Sequence, residues 1–278
     1  MKKLIDFDGL FDKKLSEYMK ENAGKYNEKQ WEALIPKLYK NFGDTFIKSA
    51  GNTPKGYYGE MSDDELVESL EAHIKKNVPV SDFLCRELES RNCPDKLVTL
   101  MKSGDAQLVT LAVNLAGDSR KAFDTYFELL TGDIDEVKDT VIERLKAGAD
   151  EAKERAIELY QKGIEREYML EILSRCKTQD DRIFDILMAE FRTSDNLPMH
   201  AGYLAAYGDE RALPVLLDYI DRDETNYLEY QELKYAIEAL GGEYNNMRDF
   251  SGDHYFEEIA SQSQIMPDFT TGDKKSEN

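Results

Sequence analysis

The stretch Gly202 to Asp221, GYLAAYGDERALPVLLDYID, carries a pattern that recurs along the chain and limits what the chain can fold into. A helix runs through Leu204, Ala205 and Tyr207 and ends at Gly208, because glycine accepts the left-handed conformation of a helix C-cap. Asp209 and Glu210 place acid at the next helix start, where the macrodipole favours it. Pro214 falls in that helix's first turn, where a missing N–H costs little. Leu213, Leu216, Leu217 and Ile220 then repeat at helical spacing. Asn114–Leu130 repeats the Leu-x-Gly-Asp turn, Leu145–Leu159 repeats it more loosely, and Leu240-Gly241-Gly242-Glu243 closes another copy. The turn glycines at 117, 148, 208 and 241 are 31, 60 and 33 residues apart. The interval of 60 reads as two periods, its middle turn disguised as Lys177-Thr178-Gln179-Asp180. A helix–turn–helix period of about 30 is the mark of a stacked α-solenoid, in which no unit buries its apolar face alone.

The run Gly208-Asp209-Glu210-Arg211-Ala212-Leu213-Pro214-Val215-Leu216-Leu217 resembles the HEAT-like repeat family, in the short form seen in phycobilin-lyase-type proteins. The likeness is close over Gly202–Gly242 and fair over Asn114–Leu130. Over the rest of Ser62–Asp180 it rests on period and apolar pattern, and nothing before Met61 carries it. Such a resemblance implies a shape rather than a chemistry.

Composition narrows the classes of function. The chain of 278 residues is long enough for a stack of five or six hairpins, and 41% hydrophobic with 33% charged residues suits heavily solvated helices. No apolar run approaches the roughly 18–20 residues of a membrane helix. Asp6 and Asp8 interrupt any signal-like segment after Lys2 and Lys3, so the expected location is cytoplasmic. Cys85, Cys93 and Cys176 are odd in number and lack CxxC spacing; Cys85 and Cys176 read as small buried hydrophobes. Net charge is −20, unevenly spread: 11 basic against 8 acidic residues through Tyr58 leave +3, and 25 against 48 beyond it leave −23. Such a body repels phosphate backbones and anionic lipid, which excludes nucleic acid and membrane as partners and favours a basic protein or peptide.

Taken in order, Leu4–Met19 reads as an aromatic-rich amphipathic helix, and Asn27 caps a second helix running to Phe42. Pro36 is expected to kink or divide that helix. Gly51–Met61 reads as a linker between this basic head and the hairpins, its Tyr57 and Tyr58 packing on the first repeat. Ser62 opens the repeats with a capping box to Glu65. Six hairpins follow: Ser62–Lys76 with Ser81–Arg91, Asp95–Lys102 with Ala106–Ala116, Ser119–Leu130 with Asp135–Ala147, Asp150–Lys162 with Glu165–Cys176, Asp180–Arg192 with Asn196–Tyr207, and Glu210–Ile220 with Thr225–Leu240. Tyr244–Asp253 reads as loop and His254–Gln262 as a short capping helix using Tyr255, Phe256 and Ile259. From Pro267 the composition is that of a disordered tail.

Few residues suggest chemistry. Asp221–Glu232 puts oxygen-bearing side chains at positions 1, 3, 5, 9 and 12 of an EF-hand loop, but Asn226 stands where glycine is needed. Its would-be partner Asp249–Ala260 has His254 at the glycine position and Ala260 at the bidentate acid. His73, His200 and His254 have no second ligand at metal spacing and no His-Glu pair, unlike the HEAT-like iron hydroxylases. The single tryptophan, Trp31, lies outside the repeats, unlike the HEAT-like DNA glycosylases. Acid pairs such as Glu165/Glu167 and Glu257/Glu258 arise by chance among 56 acids.

Tyrosines are concentrated near the C-terminus. In repeat five Leu197, Ala201, Leu204 and Ala205 form the expected core stripe, leaving His200, Tyr203 and Tyr207 beside it. In repeat six Leu233, Ala236, Ile237 and Leu240 are core, leaving Tyr227, Tyr230 and Lys234. The family resemblance implies that second helices line a concave surface. His200, Tyr203, Tyr227, Tyr230 and Lys234 are therefore the candidate partner-binding residues; the competing reading is that these rings fill the groove between neighbouring repeats.

The sequence thus predicts an all-α, right-handed α-solenoid of five to six HEAT-like hairpins (61–243), with an N-terminal helical head and linker (1–60) and a C-terminal cap and tail (244–278). Its expected function is a non-catalytic, cofactor-free scaffold or adaptor whose acidic, tyrosine-bearing face binds a basic protein or peptide. The alternatives are an acidic inhibitor or immunity-type protein of a basic toxin or nuclease, and a calcium-dependent module or enzyme using Asp221–Glu232.

Overall fold

The computed structural model describes residues 3–91 and 93–265. Among them are sixteen α-helices and three short 3-10 turns, and no strand; the single β-bridge joins Ile47 to Asn52. The tail expected from Pro267 lies outside the described residues. The chain forms two compact units, Met1–Gly148 and Ala149–Asn278.

In the first unit, Asp6 caps α1 (Phe7–Glu21) by accepting the Gly9 N–H at 2.7 Å, and Asn27 with Gln30 makes a capping box for α2 (Glu28–Phe42). Of the two outcomes expected of Pro36, a kink or a division, the second does not occur: α2 runs through it. Pro36 lies on the exposed side, as does Glu32 four residues back, so the carbonyl it deprives of a partner belongs to a solvated residue. Gly51–Met61 is more than a connection. Thr53 caps the short helix α3 (Pro54–Gly59), and Tyr57 and Tyr58 are buried edge-on against Phe7 at 5.6 and 5.7 Å. The Tyr57 hydroxyl donates to the Lys3 carbonyl at 2.5 Å.

Helix α3 also packs on α5 (Asp82–Arg91), the second helix of the first hairpin, so the head is bound to the hairpins from this side. From the other side, Tyr39 of α2 stacks on Phe83 at 4.7 Å with the rings 12° apart. Asp8 of α1 completes the join. Its carboxylate accepts the Tyr39 hydroxyl at 2.7 Å, the Ser81 hydroxyl at 3.2 Å and the Asp82 backbone N–H at 3.2 Å, capping α5 from another part of the chain. Burial and the neighbouring Asp8 push the Tyr39 phenol well above its usual range, so it stays a donor.

Tyr58 is fully buried and its hydroxyl has no partner. An unmet buried hydroxyl costs about 1–3 kcal/mol. Tyr58→Phe is therefore expected to hold or raise the urea midpoint of the first unit; a fall of more than about 1 kcal/mol would show that the hydroxyl is satisfied after all.

The hairpins fall where the sequence places them. In the first unit they are α4 (Asp63–Lys75) with α5, α6 (Pro94–Met101) with α7 (Ala106–Ala116), and α8 (Phe123–Leu130) with α9 (Lys138–Ala147). In the second they are α10 (Ala149–Gln161) with α11 (Arg166–Leu173), α12 (Asp181–Thr193) with α13 (Leu197–Tyr207), and α14 (Leu213–Ile220) with α15 (Tyr227–Ala239), followed by α16 (His254–Ile265). Helices α8, α9 and α14 each begin in a 3-10 turn. Second helices neighbour second helices: α5 meets α7 and α7 meets α9 in the first unit, and α11 meets α13 and α13 meets α15 in the second.

Side chains pair between successive hairpins. Asp209 accepts the Arg211 N–H at 3.0 Å and holds its guanidinium, which reaches Asp181 of the previous hairpin at 2.8 Å. At the disguised turn Asp180 does the same for Arg182, which reaches back to Glu154 at 2.6 Å. Lys177-Thr178-Gln179-Asp180 thus does the work of Gly208-Asp209-Glu210 without a glycine. In the first unit Lys96 pairs with Asp64, and Lys121 with Asp95 at 2.8 Å. Most of these pairs are exposed and worth about 0–1 kcal/mol each, so they fix alignment more than stability. Burial supplies the latter, through residues such as Leu66, Leu84, Val109, Val141, Ile172 and Leu216, all fully enclosed.

Two turn glycines serve different needs. Gly208 has φ +77°, the left-handed cap. Gly148 does not; a β-carbon there would lie 2.3 Å from the Phe123 ring, so closeness of packing requires it. Cys85, Cys93 and Cys176 are free thiols; Cys176 is buried as expected, whereas Cys85 is only half-buried, and loss of water contact pushes Cys85 up to about 11 and Cys176 up to about 12.

Candidate functional site

The candidate residues fall in two environments of the second unit. Asn196 caps α13 by accepting the Met199 N–H at 3.3 Å, and Pro198 occupies the first turn, which sets His200 one turn into the helix. His200 is 3% exposed and Tyr207 4%, so the buried stripe of α13 is 200, 201, 204 and 207. That corrects the expected core stripe: Leu197 and Ala205 are only half-buried. The helix is turned because it packs on α12 on one side and on α11 and α15 on others.

The His200 ring meets Tyr203 edge-on at 5.6 Å, and its buried Nδ1 has no partner. Burial lowers the imidazole pKa, with Glu190 and Glu167 acting the other way, so His200 is kept neutral. Tyr203 is half-buried, and burial pushes its phenol up to about 12, with Glu171 and Glu167 of α11 adding to the rise. Close by, the Tyr160 hydroxyl donates to Glu190 Oε1 at 2.5 Å, and Arg166 lies over the Tyr160 ring while pairing with the same carboxylate. Neighbouring α11 and α13 therefore set a half-buried tyrosine within electrostatic reach of the carboxylates of Glu167 and Glu171. An aromatic face with adjacent carboxylates suits an ammonium or guanidinium group.

Tyr227 and Tyr230 are placed differently. Tyr230 is 6% exposed; its ring meets Phe250 at 4.9 Å and Tyr244 at 6.0 Å, and its hydroxyl donates to the Asn246 carbonyl at 2.7 Å. Tyr227 is half-buried between Phe250 at 5.2 Å and Phe256 at 5.1 Å, and its N–H donates to Asp253 at 3.1 Å. Both rings lie under the segment 244–256, which the sequence reads as a loop to Asp253 and a short capping helix from His254. The cap is built from Tyr244, Phe250 and Phe256; Tyr255 and Ile259, expected to seal it, are 45% and 48% exposed. Lys234 is half-exposed, with its ammonium 4.0 Å from Glu238. Of the five candidates, Tyr203, Tyr227 and Lys234 keep part of their surface open to solvent, and His200 and Tyr230 do not.

No family model, curated protein or solved structure matches this chain. What the site does must therefore be argued from its own groups.

Three of the five side-chain oxygens of the EF-hand-like loop are turned to other uses. Asp221 accepts the Tyr244 hydroxyl at 2.6 Å, Thr225 donates to the Tyr219 carbonyl at 2.7 Å, and Glu229 closes a capping box with Asn226 at the start of α15. The backbone carbonyls of Arg222 and Asp223 accept from Arg248. Among the described residues no group of three or more His, Cys, Asp or Glu is placed to hold a metal ion, and no helix is long and apolar enough to cross a membrane. Glu171 and Glu190 escape sequence reasoning because each lies a full hairpin from the residues it faces, among many other acids.

Proposed function

We propose that the chain is a non-catalytic scaffold of HEAT-like hairpins, wound as a right-handed solenoid and acting in the cytoplasm, whose acidic second unit binds a basic protein or peptide. The observation that carries this reading is where the charge lies. Residues 1–148 hold 22 basic and 27 acidic residues, a net −5, whereas 149–278 hold 14 and 29, a net −15. A field of that size draws in and orients a cationic partner. The α11/α13 edge supplies the place of contact: Glu167 and Glu171 one helical turn apart, with Tyr203 beside them. Tyrosine gives contact area at little entropic cost, which makes it a usual anchor. Neighbouring second helices and side-chain pairs one period apart support the repeat reading.

The test is titration with a labelled octalysine peptide. Affinity should fall steeply as salt rises from low to physiological, because the screening length shrinks to about 8 Å. Glu167→Lys with Glu171→Lys should weaken binding at least tenfold. Asp218→Lys with Glu238→Lys, the same change in charge on α14 and α15, should weaken it far less. Equal losses in the two double variants would leave only a diffuse field and remove the α11/α13 edge as the site.

A further inference from the structure

A cleft of about 900 Å³ opens in the first unit where α1, α2 and α5 converge. That volume is within the range of built ligand sites, roughly 300–1,000 Å³. Each helix turns one face to it: Asp8 and Asp12 lie four residues apart on α1, Pro36 and Lys40 on α2, Asp82 and Arg86 on α5. Between them runs an aromatic wall. Phe11 meets Tyr39 edge-on at 4.9 Å, and Tyr39 in turn stacks on Phe83. The wall is fixed, since Asp8 holds the Tyr39 hydroxyl and caps the helix that carries Phe83. Ile35 and Tyr39 are only half-buried, which leaves apolar surface open inside the cleft.

Most of the charges around the cleft are already matched. Asp8 accepts from Tyr39, Ser81 and the Asp82 backbone. Asp82 pairs with Arg86 at 2.6 Å, Glu87 with Arg91 at 2.8 Å, and Lys55 with Asp44 at 2.6 Å. Two charges are left over. Among the described residues the side chains of Asp12 and Lys40 have neither an ion pair nor a hydrogen bond. They are of opposite sign and line the same cleft from neighbouring helices, yet they do not join.

A ligand bearing both signs of charge would bridge them. An anion paired with Lys40 stands near the Asp12 carboxylate, and a cation paired with Asp12 stands near the Lys40 ammonium. A single charge therefore gains at one residue and loses at the other. We propose that this cleft binds a small zwitterion with an aromatic side chain, of the aromatic α-amino-acid class. Its ammonium pairs with Asp12 and its carboxylate with Lys40. Its ring lies against Ile35 and Tyr39, where ring contacts add to the burial of apolar surface. The site belongs to the first unit and is independent of the acidic edge of the second, whose partner is a polycation.

The full chain, labelled with nitrogen-15, is titrated with L-phenylalanine. Amide shifts are expected at Asp12, Tyr39, Lys40 and Arg86. Phenylacetate lacks the ammonium and 2-phenylethylamine lacks the carboxylate; each should bind about tenfold more weakly, as should L-alanine, which lacks the ring. Asp12→Asn and Lys40→Met should each lower the affinity several-fold while the unfolding midpoint holds, because both side chains are exposed and unpaired. Asp12→Asn should at the same time improve the binding of phenylacetate, since the repelling carboxylate is gone. Glu32→Gln and Lys13→Met, the same changes in charge on these helices outside the cleft, should leave the affinity unaltered. Phenylacetate or 2-phenylethylamine binding as tightly as phenylalanine overturns the proposal in favour of a site for one charge. So does an affinity that survives both cleft substitutions, or the absence of shifts at these amides at millimolar phenylalanine. Octalysine binding at the second unit is measured separately, so either site can fail without the other.

Discussion

Replacing Asp8 by alanine is expected to destabilise the first unit by about 3 kcal/mol, because it strands donors that have no substitute. The carboxylate serves two purposes at once. It accepts the Tyr39 hydroxyl from α2, and it caps α5 through the Ser81 hydroxyl and the Asp82 N–H. Bonds to a charged acceptor contribute about 1.5–3 kcal/mol, and the loss of a helix cap alone costs about 1 kcal/mol. Asp8→Asn keeps one accepting oxygen and should retain much of the stability. The readout is twofold: the denaturant midpoint, and hydrogen exchange at the first turn of α5 and along α2. If Asp8 joins the head to the first hairpin, exchange should quicken in both places together. Faster exchange at α5 with α2 unchanged would show that the Tyr39–Phe83 stack holds the head without it.

That junction also shows where the sequence stops being informative. The hairpins of Ser62–Gly242 were legible because each rests on local features: a cap, an apolar stripe, a turn glycine or its acidic equivalent. Even the turn at Lys177–Asp180 could be placed, since the period demanded a turn there and Asp180 with Arg182 supplied the chemistry. Asp8 could not be assigned, because its partners Ser81 and Asp82 lie more than seventy residues away and nothing near Asp8 points to them. Gly51–Met61, which does pack on the first hairpin, was read only in part for a related reason. Three glycines and a proline suggest a connection, whereas Tyr57 and Tyr58 are buried by Phe7, a contact no local pattern records.

The candidate site was legible in part. Spacing put His200, Tyr203, Tyr227 and Tyr230 on matching faces of two second helices, and they lie on α13 and α15 as that spacing requires. What covers each face was not readable. Helix α15 meets the segment that follows it in the chain, which has no periodicity and whose Tyr244 and Phe250 turn inward. Each of these residues looks like any other loop aromatic.

Tyr230→Ala is accordingly expected to cost about 3–4 kcal/mol of stability in the second unit, rather than to act on binding alone. The truncation removes a buried ring from between Tyr244 and Phe250, and it releases the Asn246 carbonyl that the hydroxyl held. Tyr230→Phe keeps the ring and should cost only the hydrogen bond, about 1 kcal/mol. Tyr203→Ala removes a half-buried ring whose loss should be felt more in octalysine affinity than in the melting curve. The two substitutions therefore move in opposite senses, one through stability and the other through binding. If Tyr230→Ala leaves the midpoint where it was while weakening the basic partner, the segment 244–256 does not seal the end of the second unit, and Tyr227 and Tyr230 return to the contact surface.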